Sequence, residues 1–232
     1  MYRLTFIFLF AFFNLCTAQK NMTVEKVFDR VEAYYKNASY YSYTSTYKYY
    51  ENKLSNKVKE TKTGIILKKN KVNYQKLDGV EIVDFGDYNV MINHSTKTFY
   101  LSSISETEKK SPIALKYFLS LFDVKKITTD PNFWICRLIA QKKQGTQFRE
   151  MTIYISKKDY SIVKQIFIMR TGAIDTKAKL TATDAKLEIS FTKNKLNPVK
   201  DDQLVKRANY FSVKNKNLTV NKKYSKFQLL TL

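Results

Sequence analysis

Tyr40–Tyr41–Ser42–Tyr43–Thr44–Ser45–Thr46–Tyr47–Lys48–Tyr49 is the stretch that decides the fold. Its period is two. Tyr41, Tyr43, Tyr47 and Tyr49 share one face with Ser45, while Ser42, Thr44, Thr46 and Lys48 take the other. Aromatic and β-branched residues alternating over that length specify a strand with one covered face. Upstream the period changes. Thr23 is a candidate N-cap, and Val24, Val27, Phe28, Val31 and Tyr35 recur at helical spacing until Asn37–Ala38, an amphipathic helix of about three turns. Downstream the alternation resumes and pairs Ile65 with Leu67, Val72 with Tyr74, Val90 with Ile92, and Phe99 with Leu101. Asp78–Gly79 and Phe85–Gly86–Asp87 are turn signals between these runs. Hairpins of this length in succession predict an antiparallel meander rather than crossover units. The alternation places Tyr43, Tyr47, Ile65, Leu67, Tyr74, Val90, Ile92, Phe99 and Leu101 on one shared inner side.

One segment breaks the strand pattern. Ser111–Pro112 supplies an N-cap serine and a first-turn proline, opening a short helix to Phe122 whose apolar residues include Leu115, Phe118, Leu119 and Phe122. Strands follow at Phe133–Gln141, Phe148–Ser156, Ile162–Arg170 and Lys186–Lys193. Beyond Leu204 the chain is rich in lysine and asparagine, with weak strand character only at Leu218–Val220 and Phe227–Leu230. The expected division is a signal peptide over 1–18, one β-rich domain over 23–205 and a basic extension over 206–232. The fold class is mainly β, a curved antiparallel sheet covered by the N-terminal and mid-chain helices.

The first residues argue for export. Arg3 gives a charged start, Leu4 to Leu15 an apolar run, and Cys16–Thr17–Ala18 a small-residue cleavage site before Gln19. Cys16 also admits lipid modification, but Leu15 stands where a small residue would precede such a cysteine, which favours soluble secretion. Cleavage leaves Cys136 without a cysteine partner, so no intrachain disulfide holds the fold. The net charge of +21 favours anionic partners. Export makes nucleic acid the poorest of these and leaves lipid headgroups and acidic polymers. The lysines are spread as Lys57–Lys59–Lys62, Lys68–Lys69–Lys71 and Lys214–Lys216, which suits a solvated strand face and an anion-attracting surface equally.

The residue inventory argues against catalysis. His94 is the single histidine and sits in the turn Asn93–His94–Ser95–Thr96, so a Ser-His-Asp or Cys-His mechanism has one exposed candidate base. Zinc sites draw on several cysteine and histidine ligands, and no metal or cofactor is expected. The five glycines fit no phosphate-loop or nucleophile-elbow spacing. Glu106 with Glu108 and Asp201 with Asp202 are the adjacent carboxylates, and solvation accounts for both pairs.

The order of elements resembles the periplasmic outer-membrane lipoprotein carriers, the LolA/LolB-like family. Four pieces carry the resemblance over residues 23–205: Gly64–Ile65–Ile66–Leu67–Lys68–Lys69–Asn70–Lys71–Val72–Asn73–Tyr74, then Phe85 to Asn93, then Ser111–Pro112, then Phe133–Trp134 with Met151–Ile155 and Ile162–Ile166. The resemblance implies an incomplete barrel whose helices lie as a lid over an apolar cavity. It implies a monomeric periplasmic carrier binding acyl chains of lipoproteins or other lipids, with possible membrane-surface contact. The candidate lipid-binding residues are then Tyr43, Tyr47, Ile65, Leu67, Tyr74, Val90, Ile92, Phe99, Leu101, Leu115, Phe118 and Phe122. Those carriers commonly follow the glycine-led strand with an Arg-Pro pair whose arginine holds the lid. Here Lys68 or Lys69 is the local alternative and Asn70 stands in the proline's place. A second expectation, from a different class, is an envelope interaction module of the same fold with a filled core and a basic surface for an anionic polymer or a partner protein.

Overall fold

In the computed structural model the described residues are 22–104, 119–140, 147–170, 184–195, 197–214 and 217–231. The signal-peptide assignment, the opening of the mid-chain helix with Leu115 and Phe118, the Glu106/Glu108 pair and Lys216 lie outside them. Helix α1 (Val24–Asn37) starts where Thr23 accepts a hydrogen bond from the Lys26 amide, and one stripe of it (Val24, Val27, Phe28, Val31, Tyr35) is buried. Strands β1 (Tyr40–Tyr50), β2 (Glu60–Lys69), β3 (Val72–Leu77), β4 (Val80–Asp84), β5 (Tyr88–Asn93) and β6 (Thr98–Ser103) form the first meander. The second comprises β7 (Val124–Thr129), β8 (Phe133–Ile139), β9 (Phe148–Ser156), β10 (Ile162–Met169) and β11 (Ala185–Lys193). Turn chemistry sets the hairpins. Asp78 and Gly79 take φ of 48° and 78° in the two-residue β3–β4 loop, the left-handed pair that matches strand twist.

Strand β1 is central. Among the described residues, with β14 over Gln228–Thr231, the large sheet runs β14-β6-β5-β4-β3-β2-β1-β11-β10-β9-β8-β7, open at both ends, so one meander grows from each side of β1. Every pairing in it is antiparallel except that of β14 with β6. Strand β14 (Gln228–Thr231) adds parallel to β6. The fold class read from the sequence, a mainly β curved sheet that does not close, stands.

The segment beyond Val205 is built into this fold. Helix α2 (Pro198–Val205), capped by Asn197, leads to a 3-10 turn (Arg207–Asn209), a hairpin of β12 (Phe211–Lys214) and β13 (Asn217–Val220), a second 3-10 turn (Lys222–Tyr224), and then β14. Tyr210, Phe211 and Tyr224 are buried against Leu67, Tyr74, Val83, Phe85, Val90, Ile92, Phe99 and Leu101. The residues read as a basic extension therefore complete the core of the first meander. Lysines such as Lys214 face water while these three aromatic residues anchor the segment, a pattern that composition hides.

The two cores lie on opposite faces of the one sheet. Directly paired residues of antiparallel strands project to the same side. Leu67 pairs with Tyr74, Tyr74 with Val83, Val83 with Val90 and Val90 with Leu101, and this face carries the C-terminal segment. Tyr43 pairs with Ile66 instead, and Tyr47 with Ile189, and this other face carries α1. Under α1 lie Cys136, Leu138, Met151, Ile153, Ile155 and Phe167 of β8, β9 and β10, together with Leu119 and Phe122. The expectation that all nine strand residues share an inner side is corrected here: Tyr43 and Tyr47 face α1, whereas Ile65, Leu67, Tyr74, Val90, Ile92, Phe99 and Leu101 face away from it. A shift of one residue reverses every side chain, and runs such as Ile65–Ile66–Leu67 and Val90–Met91–Ile92 are apolar on both faces.

Candidate functional site

Apolar surface remains accessible along the α1 face of the first meander. A row crosses the sheet there by direct pairing, Tyr43–Ile66–Gln75–Ile82–Met91–Tyr100–Leu230. Ile82 and Met91 are 42% and 37% exposed. On the opposite face Leu67, Tyr74, Val90, Ile92, Phe99 and Leu101 are each at most 2% exposed.

Two adjoining pockets sit on this face. One, of ≈ 160 Å³, lies between the C-terminal end of α1 and β1–β3, lined by Tyr35, Tyr41, Tyr43, Ile66, Gln75, Gln165 and Phe191 among others. The second, of ≈ 370 Å³, continues along the same strands past Ser45, Tyr47, Lys62, Leu77, Val80 and Ile82. They share Ile66 and Gln75, so together they form one trough running along β1, β2 and β3. Gly64 keeps its floor low. A Cβ there would lie 2.6 Å from the Lys76 carbonyl oxygen and 2.8 Å from Ser45 Oγ, so the sheet admits no side chain at that point.

The enclosed end is tyrosine-rich. Tyr34 and Tyr43 share a hydrogen bond between hydroxyls at 3.0 Å, and Tyr35 Oη accepts from the Ile162 amide at 3.0 Å. The Tyr35 ring meets Tyr41 edge-on at 5.2 Å between centroids, and Tyr43 lies tilted to Tyr41 at 5.7 Å. Burial pushes the Tyr41 phenol up to about 12, and raises Tyr35 and Tyr43 well above the usual range, with the Tyr34 hydrogen bond adding to the effect at Tyr43. These phenols stay neutral, and the Lys68 ammonium beside Tyr41 is taken up by the carbonyl oxygens of Tyr35 and Lys36. The outer end carries the ion pair of Lys62 with Asp78 at 2.5 Å, with Glu60 at 3.3 Å.

Lys68 and Lys69 separate by face. Lys68 is buried on the α1 side, and its Nζ donates to the carbonyl oxygens of Tyr35 at 2.7 Å and Lys36 at 3.0 Å, the unsatisfied acceptors at the end of α1. Burial holds its pKa below the ordinary lysine value. Lys69 points the other way and pairs with Asp202 of α2. Lys68 thus holds a helix to the sheet, and the helix is α1. Asn70 takes φ of 56°, a left-handed conformation closed to proline, which explains the residue that follows the lysines.

Of the candidate lipid-binding residues, Tyr43 and Tyr47 line the trough, Phe122 is buried under α1, and Ile65 borders the trough from the opposite face. Leu67 and Tyr74 belong to the core beneath the C-terminal segment and also border the enclosed pocket, while Val90, Ile92, Phe99 and Leu101 lie in that core alone. Ile66, Gln75, Leu77, Val80, Ile82 and Phe191 were not among the candidates. Ile66, Ile82 and the adjacent Met91 occupy the strand positions of opposite parity, and the cross-strand partner of Tyr43 is what identifies them. His94 Nε2 lies 3.0 Å from Glu81 Oε1, with its ring against Phe227 on the opposite face. Cys136 is fully buried, and burial pushes its thiol up to about 12, so it packs as a small apolar side chain. Among the described residues no helix is long and apolar enough to cross a membrane.

No family model matches the chain, and no curated protein does. Solved structures similar to it include an uncharacterized conserved protein from Thermus thermophilus, 14% identical over 90% of this chain and 98% of that one, with a TM-score of 0.45. A LolA superfamily protein from Nitrosomonas europaea is 9% identical over 81% and 99%, with a TM-score of 0.34. The lipoprotein LppX of Mycobacterium tuberculosis is 10% identical over 75% and 96%, with a TM-score of 0.38. At these values the likeness carries no functional argument, and the reading of the site rests on its own geometry.

Proposed function

We propose that the protein is an exported, periplasmic, non-enzymatic carrier that holds acyl chains of lipoproteins or other lipids in the trough on the α1 face. The observation that carries this reading is an apolar trough that opens to solvent on one face of β1–β4, where the other face of the first meander is packed beneath the C-terminal segment. Methylene burial gains about 0.8 kcal/mol per group, so such a surface binds a chain without any reacting group. The neutral phenols at the enclosed end and the ion pair at the outer end suit an amphiphile. The test is native mass spectrometry with lipid extraction on protein purified from a bacterial envelope, followed by titration with a fluorescent fatty acid at about 0.05 and 0.5 M salt. Saturable binding at both salts is expected. Absence of lipid in both assays overturns the reading and leaves the interaction module with a basic surface, which the exposed Lys214 on β12 favours.

A further inference from the structure

We infer that the cargo enters as a single unbranched chain lying along β1, with its terminal methyl beneath α1 and its polar end at Lys62. This rests on the carrier reading and adds the number of chains, their length and their direction. Three observations lead to it.

The first is direction. The lining residues fall in order along the strands: Tyr41, Tyr43, Ser45 and Tyr47 on β1, with Ile66 and Lys62 on β2 opposite Tyr43 and Tyr47, and Gly64 between them opposite Ser45. The trough therefore runs parallel to the strands rather than across them. The second is polarity. The enclosed end meets buried tyrosine rings whose hydroxyls are committed to Tyr34 and to the Ile162 amide, or held neutral by burial, which suits a methyl terminus. The outer end meets Lys62 and Asp78, 38% and 61% exposed, where a headgroup stays hydrated. The third is capacity. The enclosed pocket of ≈ 160 Å³ holds about five water-sized groups, enough for the end of one chain and too little for two. From Tyr41 to Tyr47 a strand spans about 20 Å, and an extended hydrocarbon advances roughly 1.3 Å per carbon, so the trough accommodates about fifteen carbons.

The mid-point is Gln75, which both pockets share and whose side chain is exposed, so enlarging it leaves the core untouched. The experiment measures affinity for saturated fatty acids of about 8 to about 18 carbons, and for a lysophospholipid against the diacyl lipid of the same headgroup, with the whole mature protein and its Gln75→Trp variant. Melting curves confirm that the variant folds. Affinity is expected to rise with length and to level off near about fifteen carbons, with the lysophospholipid at least about tenfold tighter than its diacyl partner. Gln75→Trp should remove the gain beyond roughly half that length while sparing the shortest acids. A fatty acid carrying a photoreactive group at its methyl end should label β1 near Tyr41 and Tyr43. Length-independent affinity, equal binding of the diacyl lipid, an unchanged profile in Gln75→Trp, or methyl-end labelling at Lys62 overturns this inference while leaving the carrier reading in place. Failure of every chain to bind overturns both.

Discussion

The two meanders that flank β1 solve the same problem on opposite faces. In β7–β11 the buried side chains meet α1, and on the reverse face ion pairs cross between half-buried Ile135, Tyr154, Ile166 and Ile168: Arg137 donates to both oxygens of Glu150 at 2.6 and 2.7 Å and Lys164 pairs with Glu188 at 3.1 Å. In β2–β6 the buried side chains meet the C-terminal segment, and the reverse face is half-exposed isoleucine, methionine and tyrosine. The uncovered face of one half is thus crossed by ion pairs, while that of the other leaves Ile82 and Met91 42% and 37% exposed. A contiguous apolar row left open to solvent marks a surface on which something other than the protein's own core can lie. That contrast is what locates the trough.

The largest expected effect comes from removing the cover of the first meander. Deleting residues 206–232 takes away Tyr210, Phe211 and Tyr224 as well as β14. Loss of a single large buried aromatic costs about 3–5 kcal/mol, so the truncated chain should lose more than about 5 kcal/mol, comparable with the whole stability of an ordinary domain. Hydrogen exchange should show β3–β6 unprotected while the amides of α1 and β8–β10 remain the slowest. Uniform loss of protection would mean that the two halves form one cooperative unit rather than two cores sharing a sheet.

Two substitutions probe that sharing at smaller amplitude. Phe28→Ala beneath α1 and Phe99→Ala beneath the C-terminal segment should each cost about 3–5 kcal/mol in urea unfolding. Because the residues belong to separate clusters on opposite faces, their costs should add within about 0.5 kcal/mol. A larger departure would show that strain passes through β1 from one core to the other. The holding role of Lys68 falls within the same comparison, since its ammonium joins the end of α1 to the second strand of the other meander.

The elements were legible because their periods are clean. The α1 stripe at 24, 27, 28, 31 and 35 and the alternating tyrosines of β1 gave the helix and the central strand as the structure has them. The Asp78–Gly79 and Phe85–Gly86–Asp87 signals gave the hairpins. The site was less legible, for a physical reason. A strand covered on one face by its own chain and on the other by a ligand is apolar at every position, and alternation then no longer tells the faces apart. Ile65–Ile66–Leu67 shows this best: Leu67 is core, Ile66 lines the trough, and nothing local distinguishes them. The cover itself was hidden because Tyr210, Phe211 and Tyr224 are scattered among lysines and asparagines, and the partners that bury them lie more than a hundred residues upstream.

The smallest effect sharpens the comparison most, because it contrasts one residue type on the two faces of adjacent strands. Ile92 is fully buried beneath the C-terminal segment, whereas Ile82 is 42% exposed along the trough. Ile92→Ala should cost about 2–5 kcal/mol, the range for a core isoleucine whose cavity cannot collapse. A charged residue at Ile92 would remove lipid binding only by unfolding the meander. Ile82→Ala should change stability by no more than about 0.5 kcal/mol, as for surface positions. Fatty-acid affinity should respond in the opposite order. Ile82→Ala deletes three carbons from the trough wall and should weaken binding up to about tenfold, given about 0.8 kcal/mol per methylene when burial is complete and less at this half-open site. Ile92→Ala, measured well below its unfolding transition, should leave affinity unchanged. If Ile92 governs affinity and Ile82 does not, the ligand lies beneath the C-terminal segment, and the face that α1 covers has no part in binding.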